Sequence, residues 1–195
     1  MMRRMRLTIL HALALLALSA PPAHAQAAAP DAGDPFAARA WHFETEALAA
    51  AEAWNYNISH EELYGLSQGL TYGLRRGLVL RANQRFAYVS QRAEDAILLG
   101  LTIGVRGRVY SRGRFSAFLQ GDLGISHTAI ATPPRGTRFN YVAMGGVGAL
   151  IGLRPRLHLV TTLQLIHISN ASLKGPSRNP DIEAIGPSVG LLIKF

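Results

Sequence analysis

The chain has 195 residues, no cysteine, and 20 Lys and Arg against 12 Asp and Glu, a net charge of +8. That length suits a single domain, and the absent thiol excludes both a disulfide framework and thiol chemistry. The basic balance would fit a nucleic-acid partner inside a cell, but the first 25 residues argue for export and turn the expectation to anionic lipid headgroups.

In chain order, Arg3, Arg4 and Arg6 precede a mostly apolar stretch from Leu7 to Ala20 and then Ala23-His24-Ala25, with small residues where a signal peptidase reads. Residues 1–25 therefore read as a signal peptide, too short in its apolar part to span a bilayer. Loss of its three arginines leaves a mature chain with a net charge of +5. Residues 26–40 read as an N-terminal extension and 41–195 as the folded domain. No later segment could be a membrane-spanning helix: the longest apolar run, Tyr141 to Leu153, has 13 residues, against the roughly 20 needed.

What recurs instead is alternation with period two, the signature of half-buried strands. Eight segments show it, near 41–54, 61–74, 77–89, 96–110, 114–127, 138–153, 156–169 and 183–195. In the first, the Ala-rich stretch Ala47 to Ala53 is compatible with helix by propensity, and the alternation of Glu44 and Glu46 with Phe43 and Thr45 favours strand. The second carries Gly65, Ser67, Gly69, Thr71 and Gly73 on one face. The fourth puts Ile97, Leu99, Leu101, Ile103 and Val105 on one face. The fifth alternates Phe115, Ala117, Leu119, Gly121, Leu123 and Ile125 with Ser116, Phe118, Gln120, Asp122 and Gly124. The seventh shows Leu157, Leu159, Thr161, Leu163 and Leu165 on its apolar side.

Short turns at Arg75-Arg76, Ser111-Arg112-Gly113 and Arg154-Pro155 alternate with longer links, among them Thr128 to Thr137 and Asn170 to Ile182. Such a rhythm predicts an all-β, eight-stranded antiparallel up-and-down transmembrane β-barrel of the outer membrane, with both termini in the periplasm. The alternative is a soluble lipocalin-type barrel with its apolar face inward. The Gly, Ser and Thr of the polar face suit a narrow packed lumen better than a solvated surface. The terminal Phe195 resembles the ending of outer-membrane barrel strands. Asp122 and Gln120 read as part of an interior polar network.

A barrel this narrow has no room for a pore, so function belongs on its wall or loops. His167 and Ser169 interrupt the apolar face of the seventh strand, and Glu183 shares the parity of Ile185, Val189 and Leu191 in the eighth. A hairpin that brings Ser169 near Glu183 would gather a hydroxyl, an imidazole and a carboxylate at one rim. These are the parts of an activated serine nucleophile. Polar residues at a strand end also mark the membrane interface without further purpose, and it is the third residue, Glu183, that weighs towards a site. His42, His60, His127 and His158 are scattered among strands and faces and form no metal-binding pattern.

The stretch His167-Ile168-Ser169-Asn170-Ala171, followed by Asn179-Pro180-Asp181-Ile182-Glu183 and a closing strand, resembles the lipid A 3-O-deacylase (PagL-type) family over about the last 30 residues. The resemblance implies Ser169 as nucleophile, His167 as base, Glu183 as orienting acid and Asn170 at the oxyanion, with no metal or other cofactor. It implies hydrolysis of the 3-O-linked acyl chain of lipid A in lipopolysaccharide, with the site facing the outer leaflet. The family usually has Gly after Asn-Pro, where this chain has Asp181. Expected partners are lipopolysaccharide as substrate and outer-membrane lipid, not nucleic acid; the oligomeric state is open, a homodimer among the options. Two other readings are a non-enzymatic adhesion or structural barrel and a lipid A acyltransferase.

Overall fold

The computed structural model describes residues 33–54, 60–92 and 94–195. The predicted signal peptide and the first part of the extension lie outside them. Eight strands follow in chain order: β1 (Trp41–Glu52), β2 (Glu62–Arg75), β3 (Leu78–Ser90), β4 (Ala96–Arg112), β5 (Phe115–Thr132), β6 (Thr137–Arg154), β7 (Leu157–Ser169) and β8 (Ile182–Lys194). Each pairs antiparallel with its chain neighbours, and β8 closes on β1 through pairs such as Ala47↔Val189. The barrel is therefore closed and presents no unpaired edge. The Ala-rich end of β1 is strand to Glu52, because both β2 and β8 pair with it and the ladder outweighs the helix propensity of alanine.

Closure assigns every residue a face. Outward side chains are apolar and uncovered: Leu101 and Leu123 are each 62% exposed, Val147 53% and Leu163 49%. Inward side chains include Glu44, Glu46, Arg81, Arg106 and Asp122, all buried. A soluble barrel would invert this arrangement. A closed barrel with an apolar outer wall and a charged interior is built to stand in hydrocarbon. Aromatic rings frame that wall at both ends. Trp41, Tyr72, Tyr110, Phe115 and Phe195 lie at the end that carries the described chain termini, and Phe139 and Tyr141 at the other.

The lumen is filled in three layers. In the middle, Arg81 donates to Asp122 and Glu44 at 2.7 Å each and to Glu46 at 3.1 Å. Arg106 adds bonds to Glu44 and Gln120, and its guanidinium lies 4.3 Å from the centre of the Phe118 ring. Ser188 and Thr162 donate to the free side of Glu46. Each charge thus faces an opposite one, which a buried ion requires. Glycine on neighbouring strands makes the room: a Cβ on Gly104 would collide with Asp122, and one on Gly190 with Glu46. Above this belt Leu63, Val89, Leu98, Met144, Ile166 and Ile168 form an apolar layer, and below it Phe118, Leu150, Val160 and Leu192 form another. The sequence pattern pointed to a polar lumen of small residues; the structure sets a charged belt at mid-height between two apolar layers, with further polar side chains such as Ser126, Asn140 and His158 buried nearer the ends.

The ends add two features. In its described part the extension packs into the barrel: Phe36 is fully buried in the lower apolar layer, Asp34 bonds Arg108 at 2.7 Å, and the carbonyl of Gly33 meets His158 Nε2 at 3.0 Å. It plugs the barrel. The link expected at Thr128 to Thr137 is mostly strand, because β5 and β6 continue past a register irregularity after His127. Thr128 and Asn140 satisfy the irregular backbone by bonding Ile130, Thr132, Arg138 and Thr137 carbonyls. Only Pro133 to Gly136 remain as turn.

An arginine at Leu163, in the middle of the outer wall, is expected to destabilise the barrel by roughly 2–4 kcal/mol. The same change at Leu173, which is 61% exposed in the β7–β8 loop, should leave stability within about 0.5 kcal/mol. Urea titration of the heat-modifiable band in lipid vesicles measures both.

Candidate active site

The residues singled out in the sequence meet at the rim opposite the termini. His167 and Ser169 share the outward face of β7, and Glu183 stands on the outward face of β8. The pairing puts Glu183 directly opposite His167 rather than Ser169. This is one step lower than a hairpin centred on the serine, and it places the carboxylate behind the imidazole. His167 Nε2 lies 2.9 Å from Ser169 Oγ, and His167 Nδ1 lies 3.5 Å from a Glu183 oxygen. The first is a full hydrogen bond; the second is an ion-pair distance at the outer limit for one. With Nδ1 protonated towards Glu183, Nε2 presents a lone pair to the serine hydroxyl.

Burial grades across the three. Ser169 is 7% exposed, whereas the side chains of His167 and Glu183 are 37% and 26% exposed. The serine is therefore sheltered but borders an open wall. On β6, Tyr141 pairs with Ser169 and Ala143 with His167, so a large ring flanks Ser169 and a small side chain leaves the imidazole accessible. Glu183 is steadied from the other side: its carbonyl accepts a 2.8 Å bond from the Ala53 amide just beyond β1.

Asn170 is almost fully buried and works inside the loop. Its backbone N–H donates to Asn179 Oδ1 at 3.0 Å, and its side-chain amide donates to the Arg178 carbonyl. Ala171 and Ser172 then take φ of 52° and 63°, a left-handed pair that side chains rarely adopt. The Leu173 amide closes the turn on the Asn170 carbonyl at 3.1 Å. The chain is thus folded back immediately after Ser169. Asn179 entered the sequence reading only as part of a motif; its bond to Asn170 gives the Asn-Pro step a structural task.

Asp181 joins the group. One oxygen of Asp181, one of Glu183 and one nitrogen of His167 lie within 4.8 Å of one another. Those ligand types could bind a cation, but both imidazole nitrogens already face Ser169 and Glu183, which favours a proton-handling arrangement. Three other described histidines stay apart from the site. His42 and His158 are in the lumen near the plug, and His127 pairs with Phe139 across β5 and β6.

A closed eight-stranded barrel with this outer wall is an outer-membrane β-barrel, and solved structures of that class share its fold. Neisserial surface protein A overlays with a TM-score of 0.57 at 12% identity, covering 80% of this chain and 97% of its own. The outer membrane enzyme PagL gives 0.55 at 17% identity over 74% and 97%, and OprG from Pseudomonas aeruginosa 0.54 at 9% identity over 82% and 97%. No curated protein matches the chain by sequence. Residues 27–191 match the model of the lipid A 3-O-deacylase (PagL) family, and the chain belongs to that family.

Asn179→Ala should leave the buried Asn170 amide without its acceptor, a loss of about 1–3 kcal/mol confined to the loop. Faster proteolytic cleavage within residues 170–181, with unchanged heat-modifiability of the barrel, is the expected result.

Proposed function

We propose that this chain is an outer-membrane esterase that removes the 3-O-linked acyl chain of lipid A as a free 3-hydroxy fatty acid. Ser169 is the nucleophile, His167 the general base and Glu183 the orienting acid. The observation that carries this reading is the 2.9 Å contact of Ser169 Oγ with His167 Nε2 on the lipid-facing wall, with a carboxylate behind the other nitrogen. A serine hydroxyl becomes a competent nucleophile when a base within bonding reach accepts its proton. The rim that bears the site faces the outer leaflet, and the end with the termini faces the periplasm. This orientation follows the short turns at the terminal end and puts the triad beside the acyl chains of lipopolysaccharide.

In the reaction so assigned, Ser169 Oγ bonds to the ester carbonyl carbon while its proton moves to His167 Nε2. Glu183 holds the resulting imidazolium at Nδ1. Collapse of the tetrahedral intermediate breaks the bond to the sugar 3-oxygen, which takes the proton from His167. Water, deprotonated by the same imidazole, then attacks the acyl carbon on Ser169; the bond to Ser169 Oγ breaks, Oγ takes the proton back from His167, and the 3-hydroxy fatty acid leaves. Asn170 is assigned to the oxyanion: one side-chain amide hydrogen holds the Arg178 carbonyl, and the second is the one to donate. Asp181, within 4.8 Å of the same imidazole and carboxylate, acts as a second anionic neighbour of the imidazolium.

The rival readings find less support. An acyltransferase that stores an acyl chain in its lumen needs a long apolar tunnel. The upper lumen here leaves a cavity of about 40 Å³, room for a few waters and not for an acyl chain. An adhesion or structural barrel has no use for the Ser169–His167–Glu183 contacts on its wall.

Ser169→Ala and His167→Ala should each lower the deacylation rate by several orders of magnitude while leaving a heat-modifiable barrel. Mass spectrometry of lipid A from cells expressing each variant reads the outcome, and full activity of Ser169→Ala removes the mechanism. Glu183→Ala should slow turnover less than either, since it loses orientation without losing a bond-making group. If Asp181 shares the role, Glu183→Ala/Asp181→Ala together should fall well below Glu183→Ala alone; equal rates for the two assign the role to Glu183 alone.

A further inference from the structure

The described acids of this molecule are sorted by end, and the arginines at the terminal end are left almost without them. At the terminal end, every strand turn exposes arginine: Arg75 and Arg76 between β2 and β3, Arg112 and Arg114 about the β4–β5 turn, and Arg154 and Arg156 about the β6–β7 turn. Arg39, before β1, is exposed among them. Among the described residues the one acid at this end is Asp34, and Arg108 holds it at 2.7 Å. The other described acids lie in the lumen or at the opposite rim, including Glu62, Glu94, Asp95, Asp181 and Glu183.

The aromatic belt fixes the depth of these arginines. Trp41 and Tyr72 meet at a tilt with ring centres 4.8 Å apart, Tyr110 and Phe115 stand 6.3 Å apart, and Phe195 is 62% exposed. Such rings settle at the boundary between hydrocarbon and headgroups. The turns protrude just beyond them, so the guanidiniums sit in the headgroup plane and not in open water. There a planar guanidinium can bond two oxygens of one phosphodiester. A ring of like charges, held by a rigid barrel and with Asp34 the one described acid beside it, favours a headgroup that carries net negative charge over a zwitterionic one.

We infer that the arginine ring is a binding surface for anionic glycerophospholipids of the leaflet that meets the terminal end. Phosphatidylglycerol-type headgroups gather around the β2–β3, β4–β5 and β6–β7 turns. The inference is independent of the esterase reading and uses only the barrel's transmembrane placement.

The test is a lipid titration of the purified full-length protein in neutral detergent micelles, where both ends are accessible, with bound lipid counted by native mass spectrometry. Phosphatidylglycerol is compared with phosphatidylethanolamine. The ring variant is Arg75→Gln/Arg112→Gln/Arg154→Gln, and the control Arg92→Gln/Arg135→Gln/Lys174→Gln removes equal charge at the other rim. An arginine near an anionic surface is worth about fivefold in binding. The wild type should therefore prefer phosphatidylglycerol by at least about tenfold, and the preference should shrink as salt rises from about 0.05 to 0.5 M. The ring variant should lose most of it and the control should keep it. Equal loss in both variants, no preference in the wild type, or full displacement by about 10 mM inorganic phosphate, meaning a site for free phosphate, would each overturn the proposal. If the triple ring variant does not fold, the three single variants are read instead, each with a severalfold loss expected; no loss in any of them has the same force. Neither lipid is a lipid A ester, so failure here leaves the esterase reading untouched, and an inactive Ser169→Ala protein should bind as wild type does.

Discussion

Everything in this structure follows from closing an antiparallel sheet on itself in a medium that offers no hydrogen bonds. With β1 paired to β8, each strand's backbone groups are satisfied on both sides, the condition for unwinding no part of the chain into lipid. Closure also removes freedom of register. A slip of one residue would turn Leu99, Leu101 and Ile103 into the lumen and Thr102 and Arg106 into hydrocarbon. The parity of each strand is therefore fixed by burial on one side and by lipid on the other.

A narrow closed barrel must also fill its interior. The chain does so with an ionic belt between two apolar layers, and with glycines wherever a long inward side chain needs the space of its neighbour. Arg81 on β3 and Arg106 on β4 reach three acids on two other strands, Glu44 and Glu46 on β1 and Asp122 on β5, tying distant parts of the ring across the axis. Removal of one partner would leave a buried charge unanswered, which is far more costly than the net worth of the pair. Phe36 closes the lower layer from a segment that is not a strand at all.

The site depends on this rigidity. Ser169 is the last residue of β7 and Glu183 the second of β8, so the three side chains sit where strict pairing ends and the loop begins. Pairing sets the His167–Glu183 separation, and the Asn170–Asn179 and Asn170–Arg178 bonds turn the chain away after Ser169. A polar trio at mid-wall would meet a penalty of a few kcal/mol per charge, whereas at the rim it falls towards roughly 0–1 kcal/mol. The position that suits the chemistry is also the one the membrane tolerates.

The alternation of Leu157 to Leu165 against His158 to Gln164, and its counterparts in the other strands, was enough to give strand number, lipid-facing parity and the break at His167 and Ser169, because period two is a property of the local chain. It was also enough to put Glu183 on the same face. Three things lay beyond it. The His167↔Glu183 register needed the actual length and folding of the β7–β8 loop. The upward continuation of β5 and β6 needed Thr128 and Asn140 to meet backbone groups across the hairpin. The plug by Phe36, and the reach of Arg81 to Glu44 and Asp122, join residues tens of positions apart in sequence. Contacts of that kind arise only when a sheet closes and brings opposite walls within a side chain's length, and no local pattern records them.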